Sequence, residues 1–233
     1  PEIAGHELKE LIGSGNCGAV YKGVTAGGKA CAVKILSSMA INRKELGAVM
    51  AKLLQMPHHQ GVLPMETGDV DRSPYHWVMP LVGNAIKDGQ GRSQWRALTL
   101  EDSFMSRVPT AKAWEMIYEM ADALAWLHRH SIPHGNLRAS NVLIESDGSV
   151  RLSDMAQGWV GGTYNLVPTD HAVYLCPDQM ENPGAVFTGS GFSWDVYAFG
   201  VLAFRLLTGH LPRAEAAWNE QVKLVQTRAA AGL

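Results

Sequence analysis

Little in this 233-residue chain would draw it into a bilayer or onto a polyanion. Its longest apolar runs, such as Val196 to Phe204, fall short of the roughly 20 residues a membrane-spanning helix needs, so no membrane insertion by this chain is expected. Charge is sparse: Asp, Glu, Lys and Arg make up 18%, and the net charge is −2. Without a basic field there is no electrostatic pull toward nucleic acid or anionic lipid, and neither is expected as a partner. The three cysteines, Cys17, Cys31 and Cys176, are odd in number and lack metal-like spacing. That argues against a disulfide framework and for free thiols in a reducing, cytoplasmic setting. The chain opens at Pro1 instead of Met, which suggests a piece excised from a longer protein, including the cytosolic domain of a membrane-anchored one.

Hydrophobic residues make up 46%, enough at this length for one large domain or two lobes. From His6 to Leu36 apolar and polar residues alternate around glycines, the pattern of three antiparallel strands. Between the first two lies Gly13-Ser-Gly15-Asn-Cys-Gly18-Ala-Val20. Glycines let backbone amides approach a phosphate closely, although alone the pattern fits a plain hairpin turn equally well. Ile41 to Leu54 carries Leu46, Val49, Met50, Leu53 and Leu54 at helical spacing. Val62 to Val70 and Tyr75 to Val82 read as two further strands, five in all. Gly83 to Arg96, polar and glycine-rich, reads as a mobile insertion.

Thr110 to His130 predicts a long helix with Thr110 as N-cap and Trp114, Ile117, Met120, Ala121, Leu124 and Leu127 on its core face. Clustered near its end, His128, His130 and His134 read as structural histidines. A second apolar helix runs from Ser193 through Leu207, with Gly209 as its C-cap, and a last one over Ala214 to Ala231.

The most informative stretch is His134-Gly-Asn-Leu-Arg-Ala-Ser-Asn141, followed thirteen residues later by Asp154-Met-Ala156. Val142-Leu143-Ile144 and Val150-Arg151-Leu152, joined through Ser146-Asp147-Gly148, read as a β-hairpin that holds Asn141 and Asp154 at neighbouring strand ends. An amide oxygen and a carboxylate there are hard oxygen donors, suited to Mg²⁺ carrying nucleotide phosphates.

In these motifs the chain resembles the protein kinases, whose pattern is His-Arg-Asp-Leu, three variable residues, Asn, then Asp-Phe-Gly. Cys31-Ala-Val-Lys34 matches the family's Val-Ala-Ile-Lys, so the resemblance implies that Lys34 contacts phosphate. It implies an α+β, bilobal fold: a five-stranded antiparallel N-lobe with one helix, and a mainly helical C-lobe, cut short after its Ala214–Ala231 helix. The expected limits are 1–82 for the N-lobe and hinge and 83–233 for the C-lobe, as one kinase-like domain. By the same resemblance Gly13, Gly15 and Gly18 cover the phosphates of ATP, and Val20 and Ala32 lie above the adenine with Leu143 below. Met79 stands as gatekeeper, the Pro80 carbonyl and the Val82 backbone meet the adenine edge, and Asn141 and Asp154 hold Mg²⁺. Glu45 is the candidate ion-pair partner of Lys34, while a register that aligns Val49-Met50 puts Leu46 in that place.

Departures from the pattern bear on activity. Asn136 stands where the family has its catalytic Asp, and a carboxamide cannot take a hydroxyl proton. Gly135 replaces the Arg that grips a phosphorylated loop, Ala156 replaces a glycine, and Cys176-Pro177-Asp178 replaces Ala-Pro-Glu. Between them Gly161, Gly162, Thr163, Tyr164 and Thr169 resemble a short activation segment, whose phosphate would lack that Arg. The His-Gly-Asn run resembles the pseudokinase domains of the Janus kinases. The expected function is an ATP-binding pseudokinase that regulates or scaffolds another signalling protein. Two alternatives stay open: a weakly active serine/threonine kinase, in which Arg138 still neutralises transferring phosphate, and a nucleotide-free interaction domain.

Overall fold

A computed structural model describes residues 1–15, 17–37, 43–87, 89–91, 93–155, 172–181, 185, 189–213, 220 and 223. Alternating side chains along the N-terminal stretch build one sheet from β1 (Glu2–Ile3), β2 (His6–Gly15), β3 (Gly18–Thr25), β4 (Ala30–Leu36), β5 (Thr67–Asp69) and β6 (His76–Pro80). Their order is β1-β2-β3-β4-β6-β5, with every pairing antiparallel. The sheet has six strands against the five expected, because the chain reverses at Ala4-Gly5 (φ +49° and +77°) and pairs Ile3 with His6. The strand expected over Val62 to Val70 contracts to Thr67–Asp69. Its first residues cross to the other lobe instead: Leu63 N–H donates to the Leu152 carbonyl at 2.9 Å, and Leu152 N–H to that of Gly61 at 2.8 Å.

Register decides which side chains face that other lobe. Residues directly opposite in a sheet share a face, and alternation repeats it along each strand. Glu10, Lys22, Ala32 and Met79 therefore form one row across four strands, and Gly13, Val20, Lys34 and Trp77 a second row on the same face. This face also receives α1 (Arg43–Gln55), whose Leu46 and Met50 pack with Leu36, Val70 and Trp77. Leu8, Cys31, Val33 and Val78 bury the opposite face.

The expected mobile insertion is an ordered hairpin in its described residues, β7 (Asn84–Lys87) paired with β8 (Ser93–Arg96). It is followed by β9 (Leu98–Thr99) and the short α2 (Leu100–Ser103). Next come α3 (Thr110–Arg129), a 3₁₀ turn at Ala139–Asn141, β10 (Val142–Ile144) and β11 (Val150–Leu152). A second 3₁₀ turn (Ala172–Tyr174), α4 (Pro177–Glu181) and α5 (Gly191–Thr208) complete the described elements.

Helix α3 is the axis of the larger core. Its Ala113, Met116, Ile117, Met120, Ala123, Leu124 and Leu127 are buried with Val201, Leu202 and Leu206 of α5 and Leu152 of β11. Trp114, expected in that core, is 58% exposed, because one residue along a helix turns about 100° away from Ala113. Thr110 is the first helical residue and Pro109 occupies the cap position, which also differs from expectation. Gly209, at φ +76°, caps α5 as expected. The fold is thus the α+β kinase-like arrangement of an antiparallel-sheet lobe on a helical lobe. The expected helix over Ala214 to Ala231 lies almost wholly outside the described residues, as do Ala156 and the stretch from Gly161 to Thr169.

Candidate functional site

The cleft between the lobes is built from the sheet face and the β10–β11 hairpin. The two glycine-rich strands stay paired to their tips, Gly13 opposite Val20 and Gly15 opposite Gly18. Gly18 has φ +138°, and a Cβ there would lie 2.0 Å from the Ile35 carbonyl oxygen, so only glycine fits. Cys17 packs against the Leu36–Leu46–Trp77 cluster beneath this loop, and burial pushes its thiol up despite nearby Lys34. It is therefore a packing residue and a poor nucleophile.

Lys34 is 4% exposed and reaches across the cleft to Asp154, its Nζ 2.7 Å from Oδ2. The sequence offers Glu45 or, in the other register, Leu46 for the place opposite Lys34; the ion pair seen here is with the Asp154 carboxylate. Glu45 is half-buried in the first turn of α1, and Leu46 beside it, 2% exposed, turns into the sheet. Burial by itself would raise the Asp154 carboxyl, but the Lys34 ammonium, its hydrogen bond and the Arg138 guanidinium outweigh this and hold it below the ordinary carboxylate range. Asp154 has φ +61°, a conformation costly outside glycine and retained where surrounding contacts over-determine it.

The segment between α3 and β10 is held by one carboxylate. Asp195 of α5, 1% exposed, accepts the backbone N–H of His134 at 2.6 Å and of Gly135 at 2.7 Å, and meets His128 Nε2 at 2.8 Å. Gly135 adopts φ +65°, a left-handed conformation that glycine permits without strain. Fully buried His134 is pushed by desolvation below the usual imidazole range and so stays neutral. Asn136 donates through Nδ2 to the Asp154 carbonyl at 3.3 Å, and Asn141 through Nδ2 to the Asn136 carbonyl at 2.7 Å. These bonds link Asn136, Asn141 and Asp154 in one network. Arg138 is half-buried in the same segment, close enough to act on the Asp154 carboxyl.

The remaining expected residues fall around this centre. Val20, Ala32 and Met79 share the sheet face with Lys34, while Leu143 lies half-buried on β10 in the other lobe. Pro80 ends β6 and Val82, 7% exposed, follows. Behind Met79 a cavity of about 20 Å³, room for roughly one water, is lined by Leu53, Leu63, Trp77, Asp154 and Met155 among others. Sequence reasoning missed Glu10, Lys22 and Trp95, which meet at the outer end of the cleft: Trp95 N–H donates to Glu10 Oε1 at 2.7 Å, and Lys22 Nζ lies 4.3 Å from its ring centre. The available signal was a lone tryptophan in an otherwise polar insertion.

Comparison with known proteins agrees with this arrangement. The chain is 30% identical over 219 residues to a probable serine/threonine-protein kinase PknB of Lactococcus lactis, covering 88% of this chain and 31% of that protein. It is 27% identical to an L-type lectin-domain containing receptor kinase S.7 of rice (Oryza sativa subsp. japonica), over 89% of this chain and 29% of the relative. It is 24% identical to CBL-interacting serine/threonine-protein kinase 21 of Arabidopsis thaliana, over 91% and 48%. The chain thus spans less than half the length of these curated relatives. The protein kinase domain matches residues 6–230. This chain belongs to the protein kinase domain family.

Proposed function

We propose that the chain is a pseudokinase domain that binds ATP between its lobes and acts as a regulatory or scaffolding module for another signalling protein. The observation that carries this reading is Asn136. At the position of the catalytic carboxylate stands an amide whose Nδ2 donates to the Asp154 carbonyl. An amide oxygen has too little basicity to accept a hydroxyl proton, and general-base catalysis is worth about 10² to 10⁴ in rate. The glycine loop, buried Lys34 and the sheet face of Val20, Ala32 and Met79 are retained, and they support nucleotide binding without turnover. In this reading residues 1–82 form the N-lobe and hinge and 83–233 the C-lobe.

The donor set fits Mg²⁺. Asn141 and Asp154 are linked through Asn136 and supply hard oxygens, with nucleotide phosphates completing the shell. The ion, when bound, would neutralise phosphate charge. Lys34 already lies on Asp154 Oδ2, so it can follow the phosphates only by exchanging one anionic partner for another.

The test is thermal melting with excess ATP, with and without Mg²⁺, on the wild type and Asp154→Asn. Saturation at 100 times Kd adds about 2.7 kcal/mol, a shift of several degrees for a domain of this size. We expect a shift with ATP that Mg²⁺ enlarges in the wild type but not in Asp154→Asn. No shift at millimolar ATP would leave a protein-interaction module.

A weakly active serine/threonine kinase is the second reading, favoured by Arg138, whose charge acts on the Asp154 side of the cleft, and by the kinase names of the relatives. Phosphoryl transfer depends mostly on positioning and charge neutralisation, so losing the base need not abolish it. Asn136→Asp should then raise turnover, and an unchanged rate would remove this reading.

A further inference from the structure

The hairpin after the hinge folds back onto the cleft. Gly83 has φ +114°, and a Cβ there would lie 2.4 Å from the Arg96 carbonyl oxygen, so glycine lets the two ends of the hairpin meet at the hinge. Asn84 pairs with Arg96, and Trp95 on the returning strand is anchored three ways. Its backbone N–H donates to Glu10 Oε1, its indole N–H donates to the Val82 carbonyl at 3.1 Å, and Lys22 Nζ lies over the ring. Glu10 and Lys22 continue the row that ends at Ala32 and Met79. The indole therefore stands at the outer end of the same sheet face that roofs the cleft.

The chemistry of the hinge says which part of a base it would meet. Pro80 has no N–H and can offer only its carbonyl, which accepts a hydrogen bond from an exocyclic amine. Along the same edge of adenine the ring nitrogen N1 follows the 6-amine, and the resemblance implies that the Val82 N–H would be its donor. Carbon C2 comes next, beside the Val82 carbonyl, and that carbonyl is taken by Trp95. We propose that Trp95 is a specificity-determining residue of this cleft, closing the base pocket at the Val82 end so that it takes adenine nucleotides and rejects purines substituted at C2. This rests on the nucleotide-binding reading above. Guanine is rejected twice, since its 6-carbonyl would oppose that of Pro80 and its 2-amine would meet the indole.

The test compares ATP with 2-methylthio-ATP by calorimetric titration of the wild type, Trp95→Ala and Trp95→Phe. The wild type should prefer ATP by at least about tenfold in Kd, the scale on which a pocket wall discriminates small substituents. Trp95→Ala should bring the two nucleotides close to equal. Trp95→Phe, which keeps a ring under Lys22 and frees the Val82 carbonyl, should retain most of the preference. Because each ratio is taken on one protein, a loss of stability in a variant does not alter it. Equal affinities in the wild type, or the same ratio in all three proteins, would overturn the assignment while leaving ATP binding intact. Failure of all three to bind ATP would overturn the nucleotide reading itself.

Discussion

Lys34 and Asp154 show how one pair can both hold the lobes together and set the charge of the cleft. Both side chains are largely shielded, at 5% and 20% exposed, and 2.7 Å separates their charged atoms. Removing one partner strands a buried charge, which typically costs 3–5 kcal/mol. Asp154→Asn should therefore cost about 3 kcal/mol in urea unfolding, the lower end because Asp154 keeps some contact with water. The double variant Lys34→Met/Asp154→Asn should lose less than the sum of the two single changes, because the pair then leaves neither charge stranded. Additive losses would mean that the two charges do not stabilise each other. Sequence could name both residues, since each sits in a recognisable motif. It could not name their pairing, which joins positions 120 apart in number and depends on how the two lobes meet.

Among the elements, the β7–β8 hairpin was the least legible. Its polar, glycine-rich sequence carries no strong alternation, so it reads as a loop. What orders it is tertiary: Trp95 reaches Glu10 and Val82, and Arg96 pairs with Asp102. Gly83→Ala should break this arrangement, because the new Cβ meets the Arg96 carbonyl in a backbone conformation alanine disfavours. A loss of about 1–3 kcal/mol is expected, read as a lower urea midpoint together with faster hydrogen exchange at Trp95. A variant as stable as the wild type would show that the hairpin end can shift at little cost. By contrast, α3 and the β10–β11 hairpin were readable within a residue or two, since periodicity and a glycine turn specify them locally. The misplacement of Trp114 shows the limit of that signal: apolar identity alone does not tell which of two adjacent residues faces inward.

In the whole molecule, the lobes are coupled by Lys34–Asp154 and by the backbone bonds between Gly61–Leu63 and Leu152. A ligand contacting both should slow local opening on both sides of the cleft. Hydrogen exchange with saturating ATP and Mg²⁺ is expected to slow in β4 and in β10–β11 together; protection confined to one lobe would contradict a nucleotide bridging them. The sequence alone determined the family, the long helix α3, the β10–β11 hairpin and the motif residues, with Asn136 standing, by the resemblance, where the family has its catalytic carboxylate. These are properties of residue type and short spacing, which local chemistry reads directly. Tertiary structure alone decided that Lys34 meets Asp154 and that the Trp95 indole meets the Val82 carbonyl, whereas the bracing of the His134–Gly135 backbone by Asp195 is what the family resemblance already implied. Each of these joins residues far apart in the chain, and their meeting depends on strand register and on which helix face the core has already taken.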